Sequence, residues 1–178
     1  MKLATVWLGG CSGCHMSFLD LDEWLIDLSA QVDVVYSPFV DVKEYPKGVD
    51  VVLIEGAIAN EQHLELIHKI RERTQTIISF GDCAITGNVT ALRNPLGSAE
   101  IVLQRSYIET ADINPQIPHA PGIIPPLVDK VLPVHQVVAV DIYLPGCPPS
   151  APNIRAVLES LLKGEKPLIA GREIIKFG

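Results

Sequence analysis

The sequence predicts an α/β domain of the doubly wound kind: a flavodoxin-like, mostly parallel sheet of about five strands with helices on both faces. Three observations carry that prediction. Short aliphatic runs alternate with helically spaced segments five times along the chain, without any sequence repeat. The run Lys2 to Leu8 alternates too little for a strand with one wet face, and so suits a strand buried on both faces. Each run that ends in a glycine-containing turn delivers a reactive side chain there, which is where open parallel sheets place their ligands. With 178 residues the chain has the mass for one core, and a single domain over 1–178 is expected.

The elements follow in order. Lys2 to Leu8 is the first strand, and the turn Gly9-Gly10-Cys11-Ser12-Gly13-Cys14 follows it. From about Cys14 to Ala30, Phe18, Leu21, Leu25 and Leu28 fall on one face and Asp20, Asp22, Glu23 and Asp27 on others, which predicts one amphipathic helix. Val32 to Tyr36 is a second strand and Gly48 to Ile54 a third, stopping at Glu55-Gly56. Asn60 is the predicted N-cap of a helix to about Arg73, with Leu64, Ile67 and Ile70 inward.

Thr76 to Phe80 is the fourth strand and delivers Gly81-Asp82-Cys83; a short helix is expected near Ala99 to Gln104. Six prolines between Asn114 and Pro133 predict an extended, irregular segment. It is not a domain boundary, because too little chain remains after it for a second core. Val137 to Leu144 is the fifth strand, leading into Pro145-Gly146-Cys147-Pro148-Pro149. Ser150 caps a helix to about Leu162, closed by Lys163-Gly164, and the stretch from there to Gly178 carries no assignment.

Composition narrows the function. A net charge of −7 argues against nucleic acid, whose phosphates need a basic surface. No run approaches the roughly 18 apolar residues of a membrane span. The apolar fraction of 48%, with mean hydropathy +0.28, is high for a soluble chain; strands buried on both faces account for part of the excess and a surface covered by a partner for the rest. Leu8-Gly9-Gly10-Cys11 resembles a lipoprotein cleavage box, but the apolar segment before it falls short of the roughly 7–15 residues of a secretory core, and there is no twin arginine. The expected compartment is the cytoplasm, where cysteines serve as ligands or redox groups more often than as disulfides.

The four cysteines are therefore the centre of the reading. Cys11 and Cys14 follow the first strand, Cys83 the fourth and Cys147 the fifth, so a doubly wound sheet brings all four to one edge. A 4Fe–4S cluster needs four thiolates, and a CxxC turn supplies two neighbouring ones. Gly9, Gly10 and Gly13 allow close approach of backbone N–H groups, and the helix beginning near Cys14 turns its positive end toward the thiolates. Pro148 stiffens the turn after Cys147. A thioredoxin-like dithiol would leave Cys83 and Cys147 unexplained, structural zinc more naturally uses two CxxC knuckles, and free buried cysteines would not gather at strand exits.

The turn Cys11-Ser12-Gly13-Cys14, with Ile54-Glu55-Gly56-Ala57-Ile58, Gly81-Asp82-Cys83 and Pro145-Gly146-Cys147-Pro148-Pro149, resembles the small subunit of NiFe hydrogenases over nearly the whole chain. The homologous cluster subunit of the quinone-reducing complex I has two adjacent cysteines in its first motif; here Ser12-Gly13 separates them, which favours hydrogenase. With no cysteine after Cys147 for a multi-cluster domain, the chain is most similar to the small subunit of cytoplasmic, bidirectional, NAD-reducing NiFe hydrogenases. The resemblance implies one proximal 4Fe–4S cluster on Cys11, Cys14, Cys83 and Cys147, a NiFe-bearing large subunit as partner, and an iron–sulfur and flavin diaphorase module that reduces NAD. The alternatives are a cluster subunit of a complex-I-like, quinone-reducing assembly and a stand-alone dithiol oxidoreductase.

Other residues carry expectations of their own. Glu55 is read either as a proton-handling carboxylate beside the cluster or as an acceptor for loop N–H groups. His15 is read first as a surface or interface histidine of the helix's first turn, Asp82 and Thr86 as turn residues orienting Cys83, and His119 as a loop or interface residue. Trp7 and Trp24 are core or partner-facing. FMN is a second cofactor candidate, suggested by the flavodoxin-like architecture and by the family resemblance; the sequence supports it weakly, because it needs a hydroxyl- and glycine-rich phosphate loop after the first strand and cysteines occupy that loop here.

Overall fold

Side-chain alternation along parallel strands gives this sheet two hydrophobic layers, one on each face. The structure is a computed structural model that describes residues 1–169. The unassigned C-terminal stretch, and the end of the expected 1–178 domain, lie in part outside the described residues.

Strands β1 (Lys2–Trp7), β2 (Asp33–Tyr36), β3 (Val49–Glu55), β5 (Thr74–Phe80) and β7 (Ile142–Leu144) form one parallel sheet in the order β2-β1-β3-β5-β7. A separate two-stranded antiparallel ribbon joins β4 (Ile58–Asn60) to β6 (Leu127–Leu132). On one face of the sheet Leu3, Val51, Leu53, Ile78 and Phe80 pack with helices α1 (Gly13–Leu19), α2 (Trp24–Ser29) and α6 (Ala151–Leu162). On the other face Ala4, Val6, Val52, Ile54 and Ile77 pack with Ile67 and Ile70 of α3 (Glu61–Arg73). The doubly wound architecture read from the sequence is the one observed. The chain runs outward from β1 to β2 and then crosses back to β3, so the switch point lies between β1 and β3.

Local chemistry explains the boundaries. Asn60 caps α3 as expected: its side chain accepts from the His63 backbone N–H at 2.8 Å. The short helices α4 (Asp82–Thr86) and α5 (Ala99–Gln104) complete the set, and α5 occupies the predicted span.

Four local expectations are corrected. The single helix from Cys14 to Ala30 is two, because the chain turns at Asp22, which has φ 50°; aspartate is a weak helix former that tolerates this conformation. Leu21, Trp24 and Leu28 stay buried on the same side, so the apolar spacing was right and helix continuity was not. The fifth strand begins at Ile142 rather than Val137. Residues Val134–Gln136 form a tight helical turn that tucks Val134 and Val138 under the sheet, a case of a short apolar run that periodicity does not resolve. The proline-rich segment is not wholly irregular, since it contains β6. Ser150 occupies the N-cap position of α6 without a side-chain capping bond.

Candidate cluster site

Strand register sets the geometry of the site. Trp7 pairs with Glu55, Glu55 with Phe80 and Phe80 with Leu144, so four strands end in one row. The turns beyond that row bring Cys11, Cys14, Cys83 and Cys147 around one small cavity, whose wall also includes Glu55 and Asp82. Cys14 and Cys83 are buried; Cys11 and Cys147 are exposed, and all four are free thiols.

Hydrogen bonds tie the three cysteine-bearing turns together. The Asp82 N–H donates to the Gly146 carbonyl at 3.0 Å, and the Gly146 N–H donates to Asp82 Oδ1 at 2.8 Å, joining the Cys83 turn to the Cys147 turn. Ser17, on α1, donates to the Pro149 carbonyl at 2.6 Å and joins the Cys11–Cys14 turn to the same place. Thr86 Oγ1 donates to the Asp82 carbonyl at 2.9 Å. Asp82 and Thr86 thus take the turn-orienting positions expected of them. Asn88 Nδ2 approaches Cys147 Sγ at 3.4 Å as a donor.

Glu55 closes the site against β3. Its carboxylate accepts the His15 backbone N–H at 3.0 Å and pairs with His15 Nδ1. His15 is 1% exposed, with its ring edge-on to Phe39 and Phe80, so the expectation of a surface or interface histidine is corrected. The physical reason lies in Glu55 itself: a carboxylate 1% exposed at a strand end requires donors, and the first turn of α1 has a free N–H and a ring nitrogen within reach. The acceptor reading of Glu55 therefore describes its geometry. Trp24 is core, with the Arg155 guanidinium 5.3 Å from its ring centre, whereas Trp7 is 48% exposed. His119 is exposed in a cleft beside Glu61 and Glu65, outside the cysteine cavity.

Charge at the site favours a cationic guest. Burial, reinforced by Cys11, Cys147, Glu55 and Asp82, pushes the Cys83 thiol up to about 11. Burial pushes Cys14 higher still, with Glu55 and the other three thiols adding to it. Four soft sulfur donors around one cavity, with ionisation of the two buried ones opposed until a positive centre compensates, fit an iron–sulfur group.

A sequence profile of the family described as NADH ubiquinone oxidoreductase, 20 Kd subunit, matches residues 11–161, a span that holds all four cysteines. The chain belongs to that family. Among related members, the NAD-reducing hydrogenase HoxS subunit delta of Cupriavidus necator is 37% identical over 168 residues, covering 92% of this chain and 79% of that one. A subunit of the vhu F420-non-reducing hydrogenase of Methanococcus voltae is 43% identical over 170 residues, covering 94% of this chain and 58% of the other. The chain thus spans little more than half the length of the F420-non-reducing hydrogenase subunits of Methanocaldococcus jannaschii, Methanococcus voltae and Methanothermobacter that it matches.

Among solved structures, a NAD+-reducing NiFe hydrogenase in its H2-reduced state contains a chain of TM-score 0.94 and 35% identity, with 100% of this chain and 99% of that chain covered. A NiFeSe hydrogenase of Desulfomicrobium baculatum shares the fold at TM-score 0.56 and 17% identity, with 92% of this chain and 63% of that chain covered. No described helix of this family member is long and apolar enough to cross a membrane.

Two site features escape the sequence. The His15–Glu55 pair joins residues whose separation in the chain gives no hint of contact, and the Asn88 amide reaches a cysteine on another strand exit. A glycine–asparagine step shortly after Cys83 was the available signal for the second.

Proposed function

We propose that this chain is the electron-transfer small subunit of a NAD-reducing NiFe hydrogenase, with one 4Fe–4S cluster held by Cys11, Cys14, Cys83 and Cys147. Its partners are a NiFe-bearing large subunit and an iron–sulfur and flavin diaphorase module, and its compartment is the cytoplasm. The observation that carries the reading is the convergence of all four cysteines of the chain on one cavity at the sheet's switch-point edge. The end-to-end likeness to a chain of a NAD+-reducing hydrogenase supports it.

A cluster bound there supplies one-electron uptake and release. The protein's own residues do the rest. The CxxC turn presents two sulfurs from the start of α1. Asp82 and Ser17 fix the other turns relative to it. Glu55 and His15 anchor α1 to β3, so the sulfurs keep their spacing when the charge on the site changes. Among the described residues no three His, Cys, Asp or Glu side chains converge on a single-ion point, and a set spread around a cavity suits a polynuclear group better than zinc.

The test is iron and acid-labile sulfide on the full chain, purified anaerobically with whatever co-purifies, followed by hydrogen-dependent NAD reduction. The reading expects about four iron and four sulfide per chain beyond the partners' clusters, lost in both Cys83→Ser and Cys147→Ser. It also expects visible absorbance that bleaches under hydrogen. Iron and sulfide without bleaching, together with quinone reduction, would move the chain to a complex-I-like assembly. A colourless protein whose dithiol activity survives Cys83→Ser would sink the cluster.

A further inference from the structure

We propose that Asn88 raises the reduction potential of the cluster site through a hydrogen bond to the Cys147 sulfur. The inference rests on the cluster reading above and assigns to that site a residue that sets how readily it accepts an electron. Asn88 is a positioning residue: it acts through the ligand sulfur.

Three observations lead here. Asn88 Nδ2 lies 3.4 Å from Cys147 Sγ. A ligating thiolate has no proton and can only accept, so the amide nitrogen is the atom that must face it. The turn that carries Asn88 is also held in place from behind. Gly87 N–H donates to the Cys83 carbonyl at 3.0 Å, Asn88 N–H donates to Thr86 Oγ1 at 3.2 Å, and Thr86 Oγ1 donates in turn to the Asp82 carbonyl. Asn88 itself has φ 35°, a conformation that asparagine tolerates and most residues resist. A turn that begins at one ligand, Cys83, therefore spends a strained residue to direct an amide at another, Cys147.

The effect on electron affinity follows from charge. Reduction by one electron adds one negative charge to the site, part of it on the sulfurs. A donor dipole aimed at a sulfur stabilises the reduced form more than the oxidised form, which raises the potential. The position matters because Cys147 is one of the two exposed cysteines, where a sulfur has no buried surroundings to fix its polarity.

Asn88→Gly and Asn88→Asp test the proposal in the full chain, purified anaerobically with its partners. Glycine keeps the backbone freedom and removes the donor. Aspartate keeps the shape and replaces the donor with a negative oxygen. The readout is the midpoint of the electron paramagnetic resonance signal that disappears in Cys83→Ser, titrated with dithionite as reductant. Parent iron and sulfide content is expected in both variants, with midpoints more negative than the parent's and aspartate the more negative of the two. An unchanged midpoint in Asn88→Gly at full iron content overturns the proposal. Loss of iron from both variants also overturns it, by making Asn88 a structural group. A parent chain without iron or sulfide is a separate result that removes the cluster reading itself.

Discussion

Gly81→Ala separates the chemistry of the site from the stability of the fold. Gly81, between β5 and α4, has φ 85° and ψ 165°, a region open almost only to glycine, where another residue costs about 1–3 kcal/mol. A Cβ at this position would also stand 2.2 Å from Cys14 Sγ, so the sulfur has to move. Overpacking of a tight site adds about 1–3 kcal/mol. The sum, about 2–6 kcal/mol, is a large part of the 5–15 kcal/mol typical of a domain, and at about 2–4 °C per kcal/mol it lowers Tm by at least about 4 °C. Gly48→Ala is the control: φ is 70° there, nothing lies within 4 Å of the added Cβ, and only the backbone cost of about 1–2 kcal/mol applies. Calorimetry gives Tm, and iron analysis gives cluster content. Gly81→Ala is expected to lose iron and Gly48→Ala to retain it. Full iron content in Gly81→Ala, with a Tm equal to that of Gly48→Ala, would refute the reasoning.

Three further outcomes are expected. Glu55→Ala strands the buried His15 ring and N–H and is expected to cost about 3–5 kcal/mol in a denaturant titration, with Glu55→Gln, which keeps an acceptor oxygen, costing less. Arg71 donates to the Ala139, Thr74 and Gln75 carbonyls and to Asp141, tying α3 to the entry of β7, so Arg71→Ala is expected to cost about 1–3 kcal/mol by the same assay. Burial lowers the His63 pKa from its ordinary 6.5. The unfolded chain then binds the proton more readily than the folded one, so stability is whole above pH 6.5 and falls as pH drops below it. His63→Gln is expected to flatten that acid-side decline in Tm, and an unaltered slope would count against it.

Features that depend on local chemistry were legible in the sequence. The buried strands, the Asn60 cap, α5 and the gathering of the cysteines at strand exits all follow from period, cap chemistry and the rule for parallel sheets. What was not legible depends on tertiary choice. Nothing between Phe18 and Leu28 marks a break except the acidic run around Asp22, because the apolar face continues through it. Val134 and Val138 are as apolar as a strand, and only their burial under the sheet reveals a turn. β4 and β6 exist because they pair with each other, which no local pattern announces. His15 looked like a surface residue because its partner, Glu55, arrives from another strand.

The same geometry links assembly of the site to the integrity of the domain. Burial of Cys14 and Cys83 keeps their thiols protonated at neutral pH, so a metal-free site gains nothing from its own sulfurs. Under the proposed cluster reading, taking up iron releases those protons, so binding is expected to become more favourable as pH rises toward the thiol range. The cage needs little rearrangement meanwhile, since Asp82, Ser17 and Glu55 already join the three turns. Cys11 and Cys147 form the solvent-facing side of the cavity, and Cys14 and Cys83 its buried side. Under the proposed function, a partner seated over the Cys11 and Cys147 sulfurs would enclose the site after assembly and take electrons from its exposed side.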